Sequence, residues 1–249
     1  MSIQSIVRSS RFGLTLACLA LCCAGCTRAV NRTAERRLRE ALPDAIGPAR
    51  QYRVHVDSAP MRSVEGRFAN VTIDGDDVRF PTGLLLDNVH IDMSNVDIDA
   101  GRKRVRHIGD ARFTIIVSDR SLDQFLAGES PAGETVRKAR LEFGVNSVVT
   151  VVGERVTLLN VGIPFRLTGP IRIASPTRLE IDPRRLVVGG IPLSGSILSF
   201  FKNRIESSLD LRRFPAPVQL TSVSTVPGRM ILSGAIDAEA LLRRAREAQ

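Results

Sequence analysis

Val89-His90-Ile91-Asp92-Met93-Ser94-Asn95-Val96-Asp97-Ile98 is the stretch on which the fold class turns. Val89, Ile91 and Met93 alternate with His90, Asp92 and Ser94, so an extended chain puts the apolar side chains on one face and the polar ones on the other. Val96 and Ile98 continue one residue out of step, as a bulge near Asn95 requires. The same period of two recurs in Phe113, Ile115 and Val117, in Leu141, Phe143 and Val145, and in Leu159, Val161, Ile163, Phe165 and Leu167. It returns in Ile171 and Ile173, in Leu179 and Ile181, and in Leu186 and Val188. Strands of this kind read as an antiparallel sheet covered on one side only. Turns are expected at Asp74-Gly75, Gly101, Gly153, Gly169-Pro170, Ser175-Pro176, Asp182-Pro183 and Pro227-Gly228.

Helical spacing punctuates the strands rather than alternating with each of them, which argues against a doubly wound α/β fold. Ser118 is placed to cap a short helix carrying Leu122, Phe125 and Leu126 and ended by Gly128. Ser194 or Ser196 opens a longer one in which Ile197, Phe201, Ile205 and Leu209 recur every four residues, a stripe meant for burial. A last helix is expected from about Ala238 to Ala248. Upstream, Ala34, Leu38, Ala41 and Leu42 give a basic amphipathic helix over Thr33 to Leu42 that Pro43 should stop. Its arginines either meet acidic headgroups or form a solvated face on a helix packed against the domain.

The 249 residues are 43% hydrophobic and 24% charged, enough for one sizeable core, and no repeat or linker divides them. Net charge is +9, which suits an anionic partner. It is uneven: residues 54–101 carry a net −6 and residues 102–112 a net +4. Nucleic acid is not that partner, because the basic loop is not backed by basic strands and aromatics make up only 4% of the chain, with no Trp.

All four cysteines, Cys18, Cys22, Cys23 and Cys26, precede the body of the chain. Arg8 and Arg11 are followed by the apolar run Phe12 to Leu21 and then by Ala24, Gly25 and Cys26, the layout of a signal peptide. Ten apolar residues rise only about 15 Å as a helix, too little for a bilayer span. Cys23-Ala24-Gly25-Cys26 resembles the lipobox of bacterial lipoproteins, departing from it at Cys23; ordinary secretion with a free cysteine is the alternative. The division expected is therefore a signal peptide over 1–25, a basic tether and helix over 26–49, and a single domain over 50–249. Lipidation at Cys26 would make this an exported, membrane-anchored protein facing the periplasm or the cell exterior. Thr27, where an inner-membrane retention signal has Asp, directs it to the outer membrane in an organism with two membranes.

Catalytic chemistry is thinly supplied. The histidines are His55, His90 and His107, there is no thiol after Cys26, and no nucleophile elbow, P-loop, dinucleotide fingerprint or zinc motif occurs. Asp74-Gly75-Asp76-Asp77 superficially suggests calcium but does not continue as an EF-hand, and it reads as a hairpin turn. No enzyme activity, metal or cofactor is expected.

Ser63-Val64-Glu65-Gly66-Arg67-Phe68-Ala69-Asn70-Val71-Thr72-Ile73-Asp74-Gly75-Asp76-Asp77-Val78 resembles the opening of the LmeA-like phospholipid-binding family of exported bacterial proteins. Leu85 to Asp92, Phe113 to Phe125 and Leu186-Val187-Val188-Gly189-Gly190-Ile191-Pro192-Leu193 are similar to its later segments, in the same order. The resemblance implies an α+β fold, a curved, mostly antiparallel β-sheet wrapped around a long apolar helix, with phospholipid acyl chains enclosed. It carries no catalytic residues. The lipid-facing positions it implies are Leu122 and Phe125, Val161, Ile163, Phe165 and Leu167 on a strand, and Ile197, Phe201, Ile205 and Leu209 on the long helix. Taken as residues alone, these positions serve equally to close a dry core in a structural or assembly lipoprotein that acts through protein partners.

Overall fold

The computed structural model describes residues 31–59, 62, 65–80, 83–99, 104–128, 136–156, 162–193, 217–240 and 243. Helix α1 covers residues 31–45. Strands β1 (Gln51–Asp57), β2 (Arg67–Arg79), β3 (Leu85–Asp99), β4 (Arg104–His107) and β5 (Ala111–Ser118) lead into helix α2 (Asp119–Gly128). Then come β6 (Val136–Phe143), β7 (Val148–Val156), β8 (Gly162–Ser175), β9 (Arg178–Ile181), β10 (Arg185–Val188) and β11 (Ile191–Leu193), followed by β12 (Val218–Val226) and β13 (Arg229–Ile236).

Two antiparallel sheets result. The larger has the order β1-β2-β3-β5-β13-β12, with β4 beside the end of β3; the smaller runs β11-β10-β8-β7-β6, with β9 beside β8. Each is apolar on one face, as period-two strands demand. On β5, Ala111, Phe113, Ile115 and Val117 are all buried and the residues between them are not. The buried faces of both sheets, with Leu42 of α1 and Leu122 of α2, form one core.

That arrangement corrects the expectation of a sheet wrapped around a long apolar helix. The described chain is mostly antiparallel strand, its helices are short, and no long apolar helix is among them. A second sheet covers a one-sided sheet as well as a helix does, and here the two apolar faces share one core. The helix expected from Ser194 or Ser196 to Leu209 lies outside the described residues, as does the final helix beyond its opening at Ala238–Ala240, which Asp237 caps through Ala240 N–H (2.9 Å).

Elsewhere the local readings fare unevenly. The change of face near Asn95 is present, with Asn95 at φ 50° and Val96 buried. It is shared by the partner strand, because β2 switches face between Phe68 and Val71 while the β2–β3 register stays constant. Asp74-Gly75 is not a turn but the middle of β2. Glycine is needed there for packing: a Cβ would come 2.7 Å from Val78 and 2.8 Å from the Tyr52 ring. Gly153 lies inside β7 and Gly169-Pro170 inside β8, where the bare Gly169 accepts the close approach of the Asp182 carbonyl. The turns at Pro176, at Asp182-Pro183 and at Pro227-Gly228 are where the sequence puts them.

Pro43 does not end α1, which continues to residue 45 and closes with Ile46 N–H donating to Leu42 O at 2.8 Å. The missing proline N–H falls in the last turn, and burial of Leu42 with packing of Leu38 and Ile46 on the core outweighs it. Asn31 donates to Val56 O, and Val56 N–H donates to Glu35, so α1 is docked on β1 with Arg32, Arg36 and Arg39 exposed.

Candidate functional site

The smaller sheet builds its apolar wall by register. Leu141, Val151, Leu167 and Leu186 stand opposite one another across β6, β7, β8 and β10, and all four are buried, Leu167 to 1% exposure. The next inward row includes Phe165 on β8 with Val188 on β10, and beyond it Ile163 is half-buried. Toward the other end Phe143, Val149 and Ile171 continue the wall, with Leu179 and Ile181 of β9 on the same core. The opposite face of the sheet is polar, with Arg166 and Glu142 3.5 Å apart and the Thr150 and Thr168 hydroxyls at 3.3 Å.

Helix α2 packs against β6, and its start is fastened as the sequence anticipated. Ser118 Oγ accepts Ser121 N–H at 3.2 Å, the expected N-cap. Ser118 in turn donates to Asp87 of β3 through both its hydroxyl (2.9 Å) and its backbone N–H, so the cap is itself tied to the larger sheet. Asp123, one turn on, accepts Leu141 N–H at 2.7 Å, which joins α2 to the edge of the smaller sheet. Burial pushes the Asp123 carboxyl above its ordinary value, and the Leu141 bond offsets part of that.

Of the residues expected to face lipid, Phe165 and Leu167 are buried on the inner wall, Ile163 lies half-buried at its end, and Leu122 is buried on α2 with Phe125 half-buried one turn later. Leu122, Phe165 and Leu167 belong to one core. Val161, Ile197, Phe201, Ile205 and Leu209 lie outside the described residues, and so does Cys26. The sequence reading passed over Val149 and Val151, because Val148-Val149-Thr150-Val151-Val152 is apolar on both faces and period two does not say which side is inward. Val145 was expected to continue the β6 alternation; it stands instead in the β6–β7 turn, 59% exposed.

On the outer face of the larger sheet His90 is held between two carboxylates, Nδ1 at 2.7 Å from Asp74 and Nε2 at 2.8 Å from Asp92. Carboxylates only accept, so both ring nitrogens donate in this geometry and the imidazolium is favoured; the Asp74 bond raises the His90 pKa first, with Asp92 adding to it. Thr72 donates to Asp92 at 3.0 Å and completes the cluster. Among the described residues no group of three His, Cys, Asp or Glu is arranged to hold a metal ion, and no helix is long and apolar enough to cross a membrane.

The described part of the smaller sheet is thus an apolar inner wall with a more polar outer face and a short helix along its β6 edge. A family model of LmeA-like phospholipid-binding proteins matches residues 26–235, most of the chain, and the chain belongs to that family. Binding of phospholipid follows from the membership. Comparisons with curated proteins and with solved structures give no match.

Proposed function

We propose that the protein is a non-enzymatic phospholipid carrier of the cell envelope, holding acyl chains against the inner wall of Phe165, Leu167 and Ile163 with Leu122 and Phe125 of α2 beside them. The observation that carries this reading is the family match, and the unbroken apolar register from Leu141 to Leu186 is the surface that suits it. An acyl chain is as apolar as the side chains it would displace, so a wall with half-buried ends at Ile163 and Val188 can exchange protein contacts for lipid contacts at little cost. Attachment is proposed through a lipid on Cys26, with the exposed Arg32, Arg36 and Arg39 of α1 adding attraction to anionic headgroups. On this reading it is an exported, membrane-anchored protein facing the periplasm or the cell exterior, at the outer membrane where there are two, in lipid transport or envelope maintenance.

Native mass spectrometry after gentle extraction tests the carrier. Co-purified phospholipid is the expected result; a lipid-free protein that also fails to take up phospholipid defeats the reading and leaves a structural lipoprotein with a filled core. Peptide mass spectrometry should find acyl groups on Cys26, and an unmodified Ala24 to Arg28 peptide in membrane fractions would overturn the anchor.

A further inference from the structure

Three large apolar side chains stand out from the surface of the described residues: Val145 (59% exposed), Val226 (44%) and Ile191 (64%). A single exposed aliphatic residue is ordinary, and Ile191, alone at the start of β11, requires no account. Val145 and Val226 are different, because their turns abut although they belong to different sheets. Thr225 donates to Gly144 O, Gly228 N–H donates to Phe143 O at 3.2 Å, and Ser147 donates to Val223 O at 3.4 Å. These bonds clamp the β6–β7 turn against the end of the β12–β13 hairpin, and Pro227, also exposed, extends the apolar patch.

We infer that the paired turns are a wedge by which the protein seats on an anionic phospholipid bilayer. This rests on the phospholipid-binding reading, since a carrier must reach the bilayer that supplies its ligand. Charge favours that occupant: Arg229 follows Gly228, Arg120 lies at the start of α2 where Asp119 N–H donates to Gly228 O, and both arginines are exposed and without an ion-pair partner among the described residues. Of the neighbouring acids, Glu142 is paired with Arg166, and Asp119, beside Gly228, is held by Arg120 N–H and keeps its charge, so the two arginines outweigh it by one. Two apolar tips flanked by free arginines match an acyl boundary under acidic headgroups. The wedge stands at the end of the inner wall away from Ile163 and Val188, beside Phe143, and α2, with half-buried Phe125, begins at the same turn. Seating the turns brings the junction of α2 and β6 to the membrane.

The chain has no Trp, so one introduced indole reports without background. Full-length protein carrying Val145→Trp, Val226→Trp or Ile191→Trp is mixed with vesicles of phosphatidylglycerol and phosphatidylcholine, or of phosphatidylcholine alone. The expected result is a blue shift, and quenching by brominated acyl chains, at 145 and 226 with the anionic vesicles and none at 191, which opens β11 and pairs with Val188, whose partner on β8, Phe165, is about 17 Å along that strand from the Pro170 level of the wedge. A lipid on Cys26 does not produce this pattern, because tethering alone immerses no particular turn. Adding Arg120→Gln and Arg229→Gln to Val226→Trp should raise the vesicle concentration needed for the shift by roughly tenfold or more. No response at 145 and 226, as a protein-docking surface would give, or an equal response at 191, overturns the wedge. Organic extraction of the purified protein before vesicles are added, and again after incubation and removal of the vesicles, separates this from the carrier reading: phospholipid held by the protein without a shift sinks the wedge alone, and a shift with no phospholipid held by the protein at either point sinks the carrier alone.

Discussion

On the outer face of the larger sheet, side chains are knitted across neighbouring strands: Arg53 of β1 pairs with Asp76 of β2 at 2.8 Å, Asn88 of β3 donates to the same carboxylate, and His90 joins Asp74 to Asp92. On the smaller sheet the links among the described residues include Arg166 with Glu142 and Arg172 with Glu180. The inner faces differ as well. Every inward position of β5 is buried, whereas on β8 burial is complete at Phe165, Leu167 and Ile171 but partial at Ile163 and Ile173. The strand interiors follow suit, since β8 contains Pro164 and Pro170, which cannot donate to a ladder, and the strands of the larger sheet contain no proline. One sheet, the frame, is closed along its inner face, and the other is the wall on which the proposed acyl-chain site is drawn.

The largest effects expected from breaking this contrast come from carboxylates placed inside. Val71→Asp in the frame buries an unpaired charge at a cost of several kcal/mol, about the whole stability of a domain, and the protein should fail to accumulate. Ile163→Asp at the open end of the wall should fold, by circular dichroism, and lose its phospholipid. Equal collapse of both variants, or an Ile163→Asp protein that keeps its lipid, would erase the distinction.

Cavities come next. Leu167→Ala and Ile115→Ala should each cost about 2–5 kcal/mol in urea unfolding of lipid-stripped protein. With phospholipid restored, only the Leu167 variant should recover part of its loss, because an acyl chain can fill space on the wall and not in the frame. Identical behaviour with and without lipid would mean that the wall is closed core.

Ser118→Ala probes the hinge between the two regions. It removes the N-cap of α2 and leaves Asp87 with fewer donors, a loss of about 1–2 kcal/mol by thermal unfolding. A change near zero would show that α2 is held by Asp123 and Leu141 alone.

The smallest effect is that of His90. Its folded pKa is raised, so its contribution is fully present below the ordinary histidine value of about 6.5 and is lost as pH rises through the higher folded value. Because the ring is partly exposed, less than about 1 kcal/mol is at stake. His90→Asn should flatten the dependence of Tm on pH in that window, and an unchanged profile would show that the Asp74–His90–Asp92 cluster does not couple to folding.

Residues whose neighbours along the chain determine their environment could be read from the linear order. The alternations at Val89, Phe113, Leu141, Ile171 and Leu186 became strands with those residues inward, and Ser118 capped a helix ending at Gly128. Of the positions expected to face lipid, Leu122, Phe165 and Leu167 point into the common core, for the same reason: a pleat or a helical turn sorts side chains by sequence spacing alone. The family could be recognised too, because its degenerate motifs keep their order over most of the chain.

What lay beyond reach depended on atoms distant in sequence. Gly75 and Gly169 have the composition of turns, yet each sits within a strand because Tyr52 in one case and the Asp182 carbonyl in the other arrive from elsewhere and leave no room for a Cβ. The division into two sheets is of the same kind: β5 pairs with β13 across more than half the described chain, a choice that no local pattern encodes. Val145 and Val226 look like ordinary ends of alternating segments, and only the clamp between their turns makes them one surface. Periodicity states that a face must be covered, but the long-range contacts formed on folding select what covers it, because a second sheet and a helix satisfy the same apolar strand equally well.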